Sequence, residues 1–200
     1  MPTSSNSTSP VIPGLGHGRF SGSWREIGQQ HGSQFSEAIR KCYDFYCVRS
    51  GKVPANFDPS IRRYVEKHFP EICEEIEGIA SGSGLSYEEA LVYNHFPVLT
   101  AFPMGCTPIY MRRSEYGPIL AKTQDCTDYE RQVTLVRVVH PKEGHAFITA
   151  TFVGFAGVGA TLNRAGVGIA AVSAHQREER HSDATFFNLL LRHAAVRSEN

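Results

Sequence analysis

The stretch FPMGCTPIY, Phe102 to Tyr110, divides the chain into two textures, and its reading decides the fold. Before it, apolar residues recur at three- and four-residue steps, the period of a helix. From Cys106 onward the sequence breaks into short β-branched runs separated by turn clusters, the pattern of strands. Cys106 stands at the junction, directly after Gly105 and before Thr107. A thiol there is either one more small buried hydrophobe or the place where the chain cuts itself.

Upstream of the junction, Trp24, Ile27, Phe35, Ala38, Ile39, Cys42 and Phe45 predict a helix from Ser23 to about Val48. Gly28 and Gly32 share one face of it. Each costs roughly 1 kcal/mol relative to alanine, so close approach of another backbone is expected there. Asp58 and Pro59 open a second helix, in which Ile61, Tyr64, Val65 and Phe69 form one stripe. Pro70 interrupts it, and Ile72, Ile76 and Ile79 continue to the stop SGSG, Ser81 to Gly84. Ser86 with Glu89 three residues on is a capping box, opening a helix to about Asn94.

Downstream, TPIYMRR, PILAKTQD, QVTLVRVVH, HAFITATFV and GVGIAAVSA read as successive antiparallel strands, joined by SEYG, PKEG and NRAG. In NRAG, Asn163 is a turn residue and Gly166 takes a positive φ. Asp183 caps a last helix, Ala184 to about Val196. The pattern is α+β. About five strands with one covering helix leave a sheet face or edge unpaired, so residues beyond Asn200 or a partner chain are expected to complete the fold. As an organisation this is one domain: a flexible segment 1–18, a helical region 19–105, and the start of a sheet region, 106–200.

Composition bounds the function classes. Apolar residues make up 41% and charged residues 20%, ordinary for a globular chain. Lysine plus arginine equals aspartate plus glutamate, which argues against nucleic acid or an anionic membrane as the main partner. The polar start MPTSSNSTSPVIPG lacks the features of a secretory signal, and no apolar run is long enough to span a bilayer. A cytoplasmic protein is expected. Five cysteines, Cys42, Cys47, Cys73, Cys106 and Cys126, do not form a disulfide framework, so reduced thiols are expected. No metal is expected, because no histidine pair sits at ligand spacing with a cysteine or acidic cluster. GFAGVG, Gly154 to Gly159, lacks the ending of a phosphate loop; small residues there would let an acyl substrate approach the backbone. REERH, Arg177 to His181, reads as a solvated loop.

A helix, a short apolar linker and then Gly-Cys at the head of a strand is the arrangement of an N-terminal nucleophile. The bond before the cysteine is cut by an N-to-S acyl shift, and the freed α-amine becomes the base for the thiol. Such an amine titrates at roughly 7.7–8.0, close to working pH, and cysteine needs only modest activation. A glycine before the cut offers no Cβ to hinder attack on its carbonyl.

GSWREIGQQHG, PEICEEIEGIASGSGLSYEEALVYN, GCTPIYM, ILAKTQD and LNRAGVGIAAVSA, in that order, resemble the isopenicillin N acyltransferase-like cysteine peptidases. These are N-terminal nucleophile hydrolases, more distantly similar to bile salt and choloylglycine hydrolases. The resemblance, from about Ser21 to the end, implies an αββα sandwich, incomplete in this chain. It implies that Cys106 is the nucleophile and Gly105 supplies the carbonyl cleaved in maturation, giving α and β fragments. Asp125, nineteen residues after Cys106, matches the acidic residue beside the nucleophile's amine; the bland alternative is an exposed turn carboxylate. Lys122 stands where bile salt hydrolases carry an arginine, its alternative a solvated strand lysine. Where those enzymes place an asparagine oxyanion donor, this chain has Ser173; the acyltransferase asparagine and arginine fall beyond Asn200.

The implied activity is hydrolysis or transfer of an acyl group from a small amide or thioester, through an acyl-cysteine. No cofactor is needed, though an acyl-CoA would serve as donor. Phe96 and Phe102 are candidate walls of an apolar acyl pocket. The competing readings are a papain-like hydrolase pairing Cys106 with His140 or His175, and a non-catalytic interaction domain.

Overall fold

The computed structural model describes residues 15–49, 59–99, 105–125, 128–172 and 187–199. In chain order the elements are β1 (Leu15–Gly22), α1 (Trp24–Gln34), α2 (Ser36–Tyr43), α3 (Pro59–His68), α4 (Pro70–Ser83) and α5 (Tyr87–Leu99). There follow β2 (Cys106–Met111), β3 (Ile119–Gln124), α6 (Asp128–Gln132), β4 (Thr134–Pro141), β5 (Phe147–Phe152), β6 (Ala160–Asn163), β7 (Gly168–Ala170) and α7 (Phe187–Arg197). The fold is α+β with a mixed sheet.

Two departures from the sequence reading stand before Cys106. β1 straddles the boundary placed at residue 18, so the segment ahead of the junction is not helical throughout. Its sequence, LGHGRFSG, has no clean apolar alternation. It is a strand because it pairs in parallel with β4, Phe20 opposite Val139, and tertiary pairing overrides weak propensity. The helix expected from Ser23 to Val48 is instead broken at Phe35, and α2 passes into a π-helical stretch, Asp44–Arg49.

The capping signals act as read. A further capping box, which the sequence reading lacks, is formed by Ser23 and Glu26 and opens α1. At the start of α5, Ser86 N–H donates to Glu89 Oε2 (2.7 Å) and Glu89 N–H to Ser86 Oγ (3.2 Å). Pro70 is the first residue of α4, and Gly84 ends it at φ 79°. α5 runs on to Leu99, past the expected end at Asn94.

The glycine expectation on α1 is met by its neighbour. A Cβ on Gly28 would overlap Glu75 O of α4, and one on Gly32 would overlap Ile79 O. Gly78 and Gly82 of α4 press back against Arg25 O and Gln29 O of α1. The two helices therefore touch backbone to backbone, and a methyl at any of the four positions has nowhere to go.

The larger sheet has the order β1-β4-β5-β6-β7, antiparallel after the first pair. Inward residues Leu135, Val139 and Phe147 are buried on its helix-covered face. On the other face, Ile148 and Leu162 stay 44% and 51% exposed. β2 and β3 form a separate hairpin, Cys106 opposite Gln124 and Met111 opposite Ile119. β6 and the short α6 are elements the sequence reading lacks. Gly166 has φ 87°, as its turn requires.

A charge cluster ties the layers together. Glu75 of α4 is fully buried and takes Arg137 of β4 on one carboxylate oxygen and Arg192 of α7 on the other. Arg192 also lies 3.8 Å from the centre of the Trp24 ring. Both guanidinium groups are completely enclosed. The shared carboxylate and the aromatic face replace part of their lost hydration, and Arg137 Nε, Arg192 Nε and Arg192 Nη1 make no hydrogen bond among the described residues.

Candidate active site

Three of the four described cysteines are poor nucleophiles by position. Cys42, Cys47 and Cys73 are buried, and desolvation raises all three thiols, Cys47 to about 12 and Cys73 to about 11. Cys106 alone among them is partly exposed. It is the first residue of β2, with Gly105 immediately before the strand.

The hairpin brings Asp125 back to that point. Asp125 N–H donates to Gly105 O at 2.8 Å, extending the ladder one step past the Cys106–Gln124 pair. The carboxylate folds over the glycine: a Cβ on Gly105 would overlap Asp125 Oδ2. A charged acceptor thus lies against the residue on the amino side of the thiol. A side chain at 105 would displace the exposed Asp125 carboxylate from this position.

Register also settles which face Cys106 shares. Residues paired across an antiparallel ladder project to one side, and alternate residues repeat it. Cys106, Pro108 and Tyr110 of β2 therefore face the same way as Gln124, Lys122 and Leu120 of β3. Tyr110, Leu120 and Lys122 line a cleft of about 840 Å³ between the hairpin and the sheet, whose opposite wall includes Ile148, Leu162 and Ile169. β3 leans on β7 there, since a Cβ on Gly168 would come within 3.2 Å of Leu120 Cδ2. Cys106 stands on the cleft side of the hairpin, two ladder pairs beyond Lys122.

Lys122 reaches toward the thiol's end of the hairpin. Its Nζ donates to Gln124 Oε1 at 3.1 Å, the residue opposite Cys106. The same ammonium lies 3.8 Å from where a Cβ on Gly159 would be. That places it over the end of GFAGVG, beside the small floor residues Ala150 and Ala160.

The GFAGVG segment is rigid for a reason absent from its own sequence. Tyr93 OH donates to Val153 O (2.9 Å), and Asn94 donates to Gly154 O while accepting from Ala156 N–H. Gly154 N–H donates to His31 Nε2 (3.0 Å), and Arg137 binds Phe155 O. Side chains from α1, α5 and β4 thus satisfy a buried loop, as buried backbone groups require. Sequence reasoning overlooked these residues. The available signal was Arg137 itself, which falls on the apolar phase of LVRVV.

Asn163 is structural, as its turn reading expects: it accepts from Val167 N–H and donates to Ala195 O and Ser198 O, closing the end of α7. His140 lies on β4 opposite Ser21 of the edge strand, three strands from β7 and so roughly 14 Å away within the sheet. It is not brought to Cys106. Asp58, Phe102, Cys126, Ser173, His175, Asp183, the REERH run and the Phe96 side chain lie outside the described residues. Among the described residues no group of three His, Cys, Asp or Glu side chains could hold a metal ion, and no helix is long and apolar enough to cross a membrane.

The chain is similar to an uncharacterized protein of Archaeoglobus fulgidus, 27% identical over 199 aligned positions. The match covers 79% of this chain and 33% of the relative, so the chain spans about a third of the curated relative's length. No family model matches the chain.

Proposed function

We propose that this chain carries the nucleophile of a self-processing cysteine amidohydrolase or acyltransferase of the N-terminal nucleophile type. The observation that carries the reading is the Asp125 carboxylate packed against Gly105, one residue before the partly exposed thiol. In maturation, Cys106 Sγ attacks the Gly105 carbonyl carbon. The peptide C–N bond breaks, the nitrogen takes up a proton, and a thioester remains. Water then hydrolyses it, leaving a carboxylate on Gly105 and a free α-amine on Cys106.

Asp125 then faces a new ammonium at close range. The carboxylate orients it and raises its pKa. In its neutral form the amine accepts the thiol proton, and the thiolate attacks the substrate carbonyl. The acyl-cysteine is resolved by water or by an amine acceptor. A second β layer, as in an αββα sandwich, is supported by the hairpin lying against β7.

Mass spectrometry of the purified chain tests this. The wild type is expected as two fragments, residues 1–105 and 106–200, and Cys106→Ala as one uncut chain. A wild-type chain that stays whole overturns self-processing and leaves the papain-like and interaction-domain readings.

A further inference from the structure

We propose that the cleft beside Cys106 binds an aliphatic carboxylate, with Lys122 as the anchor for its negative charge; the acyl amide or thioester turned over at Cys106 then carries such a group. The inference rests on the nucleophile reading for its catalytic meaning, but the binding itself does not.

The walls are apolar and incompletely covered. Tyr110, Leu120, Ile148 and Leu162 line the cleft while remaining between 41% and 65% exposed. Apolar surface held open in a concavity of this size suits a small ligand, since such sites span roughly 300–1,000 Å³. The threonine hydroxyls of the lining are already engaged: Thr149 Oγ1 donates to Ala160 O (3.0 Å) and Thr161 Oγ1 to Ile148 O (2.7 Å). They offer little to a polar ligand such as a sugar.

One charge remains. Among the described residues, Lys122 is the sole ionisable cation in the lining, and no aspartate or glutamate accompanies it. Among the described residues its ammonium makes no ion pair. Its hydrogen bond goes to the neutral Gln124 amide. A cation at the end of an apolar cleft, floored by Ala150, Ala160 and the Gly159 backbone, is complementary to an anion on an apolar body. The diagonal step from Lys122 to Cys106 on the hairpin is roughly 7–8 Å between Cα positions. A ligand held by Lys122 thus lies alongside the thiol.

Calorimetric titration of the full-length Cys106→Ala chain tests the proposal, with decanoate, decanol and decylamine kept below micellar concentrations. Because that variant cannot cut itself, a failed nucleophile reading leaves the result intact, and failed binding leaves the cleavage test intact. Decanoate is expected to bind one per chain and about tenfold tighter than decanol, the scale of one charge-assisted contact. Lys122→Met should bring decanoate to the decanol level, and Lys122→Glu should turn the preference toward decylamine. Ile148 and Leu162 methyl resonances should shift on binding. Equal binding of decanoate and decanol, full binding by folded Lys122→Met, or methyl shifts confined to other residues overturns the proposal. So does self-association through this face that decanoate cannot compete with.

Discussion

The backbone N–H of Asp125 donates to the carbonyl oxygen of Gly105 at 2.8 Å, and the Asp125 carboxylate fills the space a side chain on residue 105 would need. The two residues are twenty apart in sequence. The hairpin makes them neighbours, and their contact sets the surroundings of the Gly105–Cys106 bond.

Asp125→Asn keeps the shape of this contact and removes its charge. If the α-amine of Cys106 is the base, it then loses a nearby anion and its pKa falls. The acid limb of the rate profile should move to lower pH by about one unit, measured as acyl-enzyme formation with a small activated amide. An unchanged limb removes Asp125 from the site.

Gly105→Ala should slow self-cleavage by restoring the overlap that glycine avoids. The double variant with Asp125→Gly should recover cutting, because the space is free again, while still turning over substrate poorly. Cleavage rates followed by gel densitometry separate the two effects. An alanine variant that cuts at the wild-type rate contradicts the steric account.

Glu75→Gln should destabilise the fold by about 3–5 kcal/mol, the usual result of leaving buried charge uncompensated. Here two enclosed guanidinium groups lose their shared carboxylate. Urea unfolding measures the change. A loss below about 1 kcal/mol indicates that Arg137 and Arg192 are solvated in a way the packing does not suggest.

Gly28→Ala on α1 should cost about 1–3 kcal/mol through overpacking, although alanine favours a helix by about 1 kcal/mol. The sign separates the two effects. A stabilised protein means that the α1–α4 contact can open at low cost.

Stability should fall as pH drops below about 6.5. His31 and His95 are both completely buried, and desolvation depresses both pKa values, His31 well below its ordinary value and His95 to about 4. In the unfolded chain each titrates near 6.5, so below that pH the unfolded state takes up more protons and is favoured. The loss from His95 develops between about 6.5 and 4 and is on the order of 3 kcal/mol. Glu26, lowered to about 2 by the Ser23 backbone N–H, adds its loss only below about 4.5. Thermal unfolding at pH 7.5 and 4.5 checks the sign: equal Tm values contradict it.

Much of the fold was legible because its signals are local. The Ser86–Glu89 box, Pro70 at a helix start and the SEYG turn each act within a few residues. Cys106 at the head of a strand and Asp125 at the end of the next were readable for the same reason: a hairpin returns its ends to each other.

What the sequence by itself determined was therefore the change from mainly helix to mainly strand at Cys106, the hairpin, and the return of Asp125 to Gly105 at its open end. Tertiary structure alone decided that Leu15–Gly22 is a strand, since its hydrogen bonds are made with β4, far along the chain. It alone decided that Glu75, Arg137 and Arg192 share one buried site, and that His31, Tyr93, Asn94 and Arg137 hold the loop under Lys122. The cleft likewise has walls from β2, β3, β4, β5, β6 and β7. No local pattern encodes such sites, because the free energy of burying a charge or lining a cavity depends on what arrives from elsewhere.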